Sequence, residues 1–371
     1  MERVIAAVAR ARRAQAAWAA QPLAERLRAL TSLARVFADR REEIVEAVRA
    51  ETGKPRVEAL AEVLAAVELL RHYAEIAPHV LRTEQVSTGY LVGKSAHIVR
   101  EPLGVVGIIT PWNYPFLTTQ DAVTAAVAAG NAAVVKPSEF TPAASRIIPG
   151  LVREAGLPEG LVQVVEGDGS VGAALVRSGV DKVVFTGSTA TGRKVMALAS
   201  ETLTPVVLEL GGNDPAIVLE DADLDRAAHG IAFGAFFNAG QTCLSTERAF
   251  VVDAVHDAFL EKVTAVTAAL RAGEEEGMDV GRIVTPAQRR IVRDHLKEAV
   301  AAGAVLHAGE VPGEEEPRVV APSVVAGAGP GTRLLAEETF GPVLPVIRVR
   351  DEEEAVFRAN ATPYGLFASV W

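Results

Sequence analysis

Residues 104–136 read GVVGIITPWNYPFLTTQDAVTAAVAAGNAAVVK, and the fold follows from them. The run 104–110 is apolar, short and closed by Pro111, so it reads as a strand buried on both faces. Residues 120–129 carry small apolar side chains over a helical length, and 132–136 is a second apolar run. Strand, helix, strand predicts a parallel pair joined by a right-handed crossover. The alternation continues outward, with helices over 141–155, 172–176 and 189–198 and strands over 161–165, 182–185 and 206–210. Such a succession is a doubly wound α/β sheet. A second round follows, with helices near 224–237, 254–272 and 286–302 and strands near 249–252, 305–308 and 343–349. We therefore read two doubly wound α/β lobes, 1–210 and 211–371, with the boundary near Gly211-Gly212. The first eighty residues are helical, with a glycine and proline stop at Thr52-Gly53-Lys54-Pro55. Residues 83–101 loosen into an extended ribbon outside the main body.

Composition supports a globular chain and narrows its partners. Of 371 residues, 49% are hydrophobic and 23% charged, too even a mixture for disorder. With 47 acidic and 37 basic residues the net charge is −10, which repels phosphate backbones and anionic lipid, so neither nucleic acid nor a membrane is expected as partner. Arginines at 3, 10, 12 and 13 have the look of a targeting segment. The partial apolar stripe of Val4, Ile5, Val8, Ala11 and Trp18 instead predicts a surface helix of the fold. The single cysteine, Cys243, forms no internal disulfide and suits the reducing cytoplasm. The seven histidines are scattered, so no metal site is expected. The acidic runs 274–276, 314–316 and 352–354 read as solvated surface.

Several stretches at predicted strand ends carry candidate chemistry. Gly167-Asp168-Gly169-Ser170-Val171-Gly172 matches a dinucleotide fingerprint, but the acid expected about twenty residues later is replaced by Phe185 and Thr186. A glycine turn that lets a helix pack closely explains it equally well. The 185–192 stretch, FTGSTATG, places hydroxyls and amides at a helix start, a setting for an anion. Cys243 ends Asn238-Ala239-Gly240-Gln241-Thr242-Cys243, and alone it reads either as a small buried hydrophobe or as a nucleophile. Glu209-Leu210-Gly211-Gly212-Asn213 and Pro111-Trp112-Asn113-Tyr114-Pro115 put a carboxylate and an amide at strand ends.

Together with Lys136-Pro137-Ser138-Glu139, Glu337-Glu338-Thr339-Phe340-Gly341-Pro342, Asn360 and Tyr364-Gly365-Leu366, these motifs resemble the aldehyde dehydrogenase superfamily over nearly the whole chain. The resemblance implies a cofactor-binding first lobe, a catalytic second lobe, and a ribbon that joins copies into a homodimer or homotetramer. It implies that Cys243 attacks a small aldehyde as thiolate, that the Asn113 amide and the Cys243 N–H hold the oxyanion, and that Glu209 activates water against a thioester. For the cofactor it implies Lys136 and Glu139 on the adenosine ribose and Trp112 and Ser188 on the pyrophosphate. Thr186, Gly187, Leu210 and Gly211 complete the set, with Glu338 and Phe340 on the nicotinamide ribose. A carboxylate at Glu139 favours NAD, and Lys136 with Ser138 leaves NADP as the second choice. Phe116, Phe236, Phe237, Thr242 and Leu244 are expected near the aldehyde. Three other readings compete: a relative that passes the acyl group to coenzyme A, a cysteine hydrolase, and a non-catalytic protein on the same fold. Because family sequences continue past Tyr364-Gly365-Leu366, the chain as written is expected to expose a sheet edge and to aggregate.

Overall fold

Runs of valine, isoleucine and alanine build the sheets. In the computed structural model, which describes residues 1–313 and 317–371, thirteen strands form three sheets among the described residues. The acidic run 314–316 lies outside the described residues. The hairpin of β1 (Glu84–Val86) and β2 (Ala96–Ile98) is antiparallel and corresponds to the ribbon. A five-stranded sheet contains β3 (Val105–Ile109), β4 (Ala132–Lys136), β5 (Val162–Val164), β6 (Lys182–Thr186) and β7 (Val206–Glu209). Its order is β5-β4-β3-β6-β7, every pair parallel. Every residue of β3 and β4 is buried, as expected of central strands covered on both faces. The order reverses between β3 and β6, and at such a switch point the crevice outside the strands' carboxyl ends takes ligands.

A six-stranded sheet contains β8 (Asp214–Val218), β9 (Thr246–Val252), β10 (Val305–Ala308), β11 (Ser323–Ala326), β12 (Val343–Val349) and β13 (Ser369–Val370). Its order is β10-β11-β12-β9-β8-β13, parallel except for β10 at one edge. Alternation along β9 shows both faces covered. Ala249 and Val251 join a cluster that includes Ala227, Ile231, Phe259 and Val263. Phe250 and Val252 join another that includes Ala355 and Ala359. Strand β8 escaped the sequence reading because Pro215 argues against a central strand. It sits beside a register shift between Asp214 and Pro215, the kind of irregularity that tolerates a proline.

The chain divides into two units, Met1–Val48 with Ala59–Glu209, and Arg49–Glu58 with Leu210–Trp371. Two corrections to the expected lobes follow. Leu210 falls in the second unit, and so does the segment Arg49–Glu58, expected in the first. An Arg282 guanidinium N–H donates to the Glu51 carbonyl at 2.6 Å, and a β-carbon on Gly281 would lie 2.6 Å from the Gly53 carbonyl. The helix Glu2–Ala19 buries Val4, Ala7, Val8, Ala11 and Trp18 and packs on β4. Ala7 takes the place given to Ile5, which is exposed. The expected helix 141–155 is broken into Ala143–Arg146 and Ile148–Glu154, because Pro149 has no N–H to continue the ladder. No helix among the described residues is long and apolar enough to cross a membrane.

Candidate active site

In the first unit, a cleft of about 510 Å³ opens at the carboxyl ends of β3, β4 and β6. It gathers Trp112, Lys136, Ser138, Glu139, Thr186, Gly187 and Ser188, so six of the expected cofactor residues share one wall system. Lys136 ends β4 with its side chain only 5% exposed, and its Nζ lies 3.2 Å from Oε2 of Glu139, which is 44% exposed. A buried ammonium beside a reachable carboxylate suits a ribose diol, which can both donate and accept hydrogen bonds. Ser188 caps the helix Thr189–Ser200, its Oγ accepting the Thr191 N–H at 3.3 Å. Gly187 has no room for a side chain, since a β-carbon would lie 2.7 Å from the buried Phe185 ring. The positive end of the helix Thr189–Ser200, opening onto the cleft, fits a pyrophosphate. The 167–172 motif splits its duties. Asp168 caps the helix Gly169–Val176 through the Ser170 N–H at 2.9 Å, and Gly169 and Gly172 line the cleft. Hydrogen bonds from Ser170, with Lys136 nearby, hold the Asp168 carboxyl below its usual range.

Asn113 and Glu209 also stand at strand ends of this unit but not among the residues lining the cleft. Asn113 is buried in the turn between β3 and the helix Leu117–Ala128. That turn is anchored by the buried Glu62 carboxylate, which accepts the Phe116 N–H at 3.2 Å and the Leu117 N–H at 3.1 Å. Glu62 thereby satisfies orphan donors at a helix start. The sequence reading passed over it, although a glutamate on the same helical face as Ala59, Val63 and Ala66 is a usable signal. Glu209 ends β7 with an exposed side chain, and its carbonyl accepts the Gly187 N–H at 3.0 Å.

In the second unit, Cys243 follows a turn in which three successive residues are left-handed, Asn238 (φ 55°), Ala239 (φ 54°) and Gly240 (φ 70°). Buried partners hold it. Glu58 accepts the Asn238 N–H at 2.7 Å. The buried Gln241 side chain donates to the Asn238 carbonyl at 2.9 Å and to the Arg282 carbonyl at 3.1 Å, and accepts the Val284 N–H at 2.8 Å. Gly240 lies under the 341 peptide, where a β-carbon would overlap the Gly341 carbonyl.

The paired glycines permit close approach on both sides. A β-carbon on Gly211 would lie 2.5 Å from Cδ of Glu338, and one on Gly212 would lie 2.9 Å from the Cys243 carbonyl. The Gly212 N–H donates to Oε1 of Glu338 at 3.2 Å. Gly211, Glu338 and Cys243, distant in sequence, are thus neighbours. Burial, with Asp214 close by, lifts Glu338 to about 7. Burial likewise lifts Asp214 to about 6 and Glu247 to about 8. The Cys243 thiol is pushed up, first by burial and then by Glu338 and Asp214, against the pull of its own and the Leu244 N–H. Phe340 is left-handed (φ 50°). Among the residues expected near an aldehyde, Phe116 and Phe236 are instead core aromatics, Phe116 edge-on to Phe37 at 5.1 Å. Among the described residues no group of three histidine, cysteine or acidic side chains could hold a metal ion.

The model of the aldehyde dehydrogenase family matches residues 1–371. The chain belongs to the aldehyde dehydrogenase family. It is 41% identical over 365 residues to a 4,4'-diapolycopene aldehyde oxidase of Methylomonas, covering 98% of this chain and 68% of that protein. Among solved aldehyde dehydrogenase folds, an NAD-dependent aldehyde dehydrogenase from Sinorhizobium meliloti superposes with a TM-score of 0.94 at 38% identity, covering 99% of this chain and 74% of that one. An NADP-dependent enzyme from E. coli superposes with a TM-score of 0.96 at 32% identity, covering 100% and 77%.

Proposed function

We propose that this chain oxidises an aldehyde to the carboxylic acid with NAD as cofactor, NADP being the weaker alternative. The observation that carries the reading is the convergence of Gly211, Glu338 and Cys243 in the second unit, where the glycine pair lets the Cys243 backbone and the Glu338 carboxylate approach and Glu338 lies near enough to push up the thiol. The first unit's cleft supports it, because its buried Lys136, its exposed Glu139 and its helix start at Ser188 fit the diol and phosphates of a dinucleotide. The carboxylate of Glu139 repels a 2′-phosphate, which sets the preference for NAD. Glu338 and Phe340 take the ribose nearer the reacting ring. The bound dinucleotide supplies the acceptor for the hydride that leaves the aldehyde carbon.

The chain's own residues do the remaining work. Cys243 releases its proton to solvent water and adds as thiolate to the carbonyl carbon, giving a thiohemiacetal oxyanion held by the Asn113 amide and the Cys243 N–H. Loss of hydride leaves a thioester on Sγ. Glu209, exposed at the end of β7, takes a proton from water as the water adds to that thioester, and the acid leaves as the C–S bond breaks, Sγ departing as thiolate and taking back that proton. The ribbon Glu84–Ile98 exposes Tyr90 and Val92, and we assign it to contact between copies of the chain.

The experiment is aldehyde-dependent reduction of NAD and NADP by wild type, Cys243→Ala and Glu209→Gln across a panel of aldehydes. Cys243→Ala is expected to abolish cofactor reduction. Glu209→Gln is expected to keep a first-turnover burst and lose steady turnover. Undiminished reduction in Cys243→Ala would overturn the reading.

A further inference from the structure

Strand β9 is buried along its entire length, yet it carries a carboxylate, Glu247, between Thr246 and Arg248. A carboxylate there is costly unless something specific engages it. Its two oxygens accept from two successive amides, Oε2 from the Thr339 N–H and Oε1 from the Phe340 N–H, both at 2.7 Å. Successive amides ahead of a left-handed residue form a concave backbone that favours an anion, and Phe340 is that left-handed residue. Thr339 is gripped from two other directions. The Gln288 side-chain N–H donates to its carbonyl at 2.6 Å, and His295 Nδ1 lies 3.2 Å from its hydroxyl. Glu338 and Phe340 flank this anchor in the chain, so the position of both follows from where Thr339 is held.

We propose that Glu247 is a positioning residue for the cofactor, fixing the 337–341 loop so that Glu338 and Phe340 present themselves to the ribose. This rests on the function proposed above for Glu338 and Phe340. Glu247 acts only through the loop's backbone, and its removal should weaken the grip on one end of the dinucleotide while leaving the adenosine end to Lys136 and Glu139.

The test is calorimetric titration of the whole chain with NAD and, separately, with AMP, for wild type, Glu247→Gln and Glu247→Asp. Glutamine keeps the shape but turns an amide N–H toward one of the two loop amides, leaving it unsatisfied. The Kd for NAD is expected to rise about tenfold or more in Glu247→Gln, and by less in Glu247→Asp, which keeps both carboxyl oxygens and shortens the reach. The Kd for AMP should stay within about twofold of wild type in both, a margin well below the tenfold shift. Unchanged NAD affinity in the variants overturns the proposal, and so does an equal loss for NAD and AMP, which would mark general damage. Should the glutamine variant fail to fold, the aspartate variant carries the same comparison. A wild-type chain that binds no NAD at all would instead strike the function on which the proposal rests.

Discussion

Gly240→Ala is expected to destabilise the second unit by about 2–5 kcal/mol. Two costs add. At φ 70° a residue with a β-carbon sits in left-handed backbone at a cost of about 1–2 kcal/mol. The new carbon would also overlap the Gly341 carbonyl and lie 2.9 Å from the Pro342 nitrogen, contacts with main chain that no rotamer change relieves, at about 1–3 kcal/mol for overpacking. Ala239 next door already bears a methyl at φ 54°, so the close peptide contact is what sets position 240 apart. Gly150 provides the reference. It lies in the helix Ile148–Glu154, and an added methyl there would meet no heavy atom within 4 Å, so its alanine variant should gain about 0.5–1 kcal/mol. Urea unfolding followed by circular dichroism measures both. The rate of Cys243 alkylation by iodoacetamide reports locally on the turn that precedes it. A Gly240→Ala chain within about 0.5 kcal/mol of wild type would refute the reasoning, because the 341 peptide would then have to retreat freely.

Three further outcomes are expected. In Gly211→Ala the methyl displaces the Glu338 carboxylate from the Gly212 N–H, a charge-assisted bond of about 1.5–3 kcal/mol, so NAD affinity should fall at least about tenfold; unchanged affinity would show that Glu338 does not depend on that bond. Asp214 is raised from 3.8 to about 6, so its contribution to stability is fully present below about pH 4 and is lost as pH rises through 6. That displacement is worth about 3 kcal/mol. The stability of Asp214→Asn relative to wild type should therefore climb by about that amount between pH 4 and 7, and a pH-independent difference between their melts would contradict it. Because Glu338 adds to the upward push on the Cys243 thiol, Glu338→Gln should shift the pH midpoint of iodoacetamide alkylation downward, and a midpoint that stays or rises would show the two groups uncoupled.

The alternation of apolar runs and helices made the five-stranded sheet legible, and β9, β10 and β12 of the other, because strands covered on two faces are written as continuous apolar stretches; β11 and β13, both short, were not read. Strand β8 was not, since Pro215 obeys a bulge that only tertiary pairing creates. The motifs marked Cys243, Gly211 and Glu338, whose neighbourhood the structure shows. The residues that hold those motifs were far less visible. Glu58, Glu62 and Glu247 lie outside any motif, and each acts on backbone amides 54 to 180 positions away. A local pattern cannot name such a partner. What it can show is the anomaly of an acid at an apolar position, as at Glu62 and Glu247. The aromatic rings at 116 and 236 failed in the opposite sense, because closeness in sequence to Asn113 and Cys243 says nothing about which way a ring is packed.

The excursion of Arg49–Glu58 into the second unit has a consequence for how the polypeptide is made. Glu58 emerges from the ribosome 180 residues ahead of Asn238, whose amide it accepts. At about 5–20 residues per second this is an interval of about 10–35 s. Throughout it the early helices can gather around the five-stranded sheet, but the decapeptide stays unclaimed until its late partners are synthesised. Neither unit is therefore a contiguous product of translation, and a gene cut at codon 210 would separate the turn before Cys243 from the carboxylate that secures it.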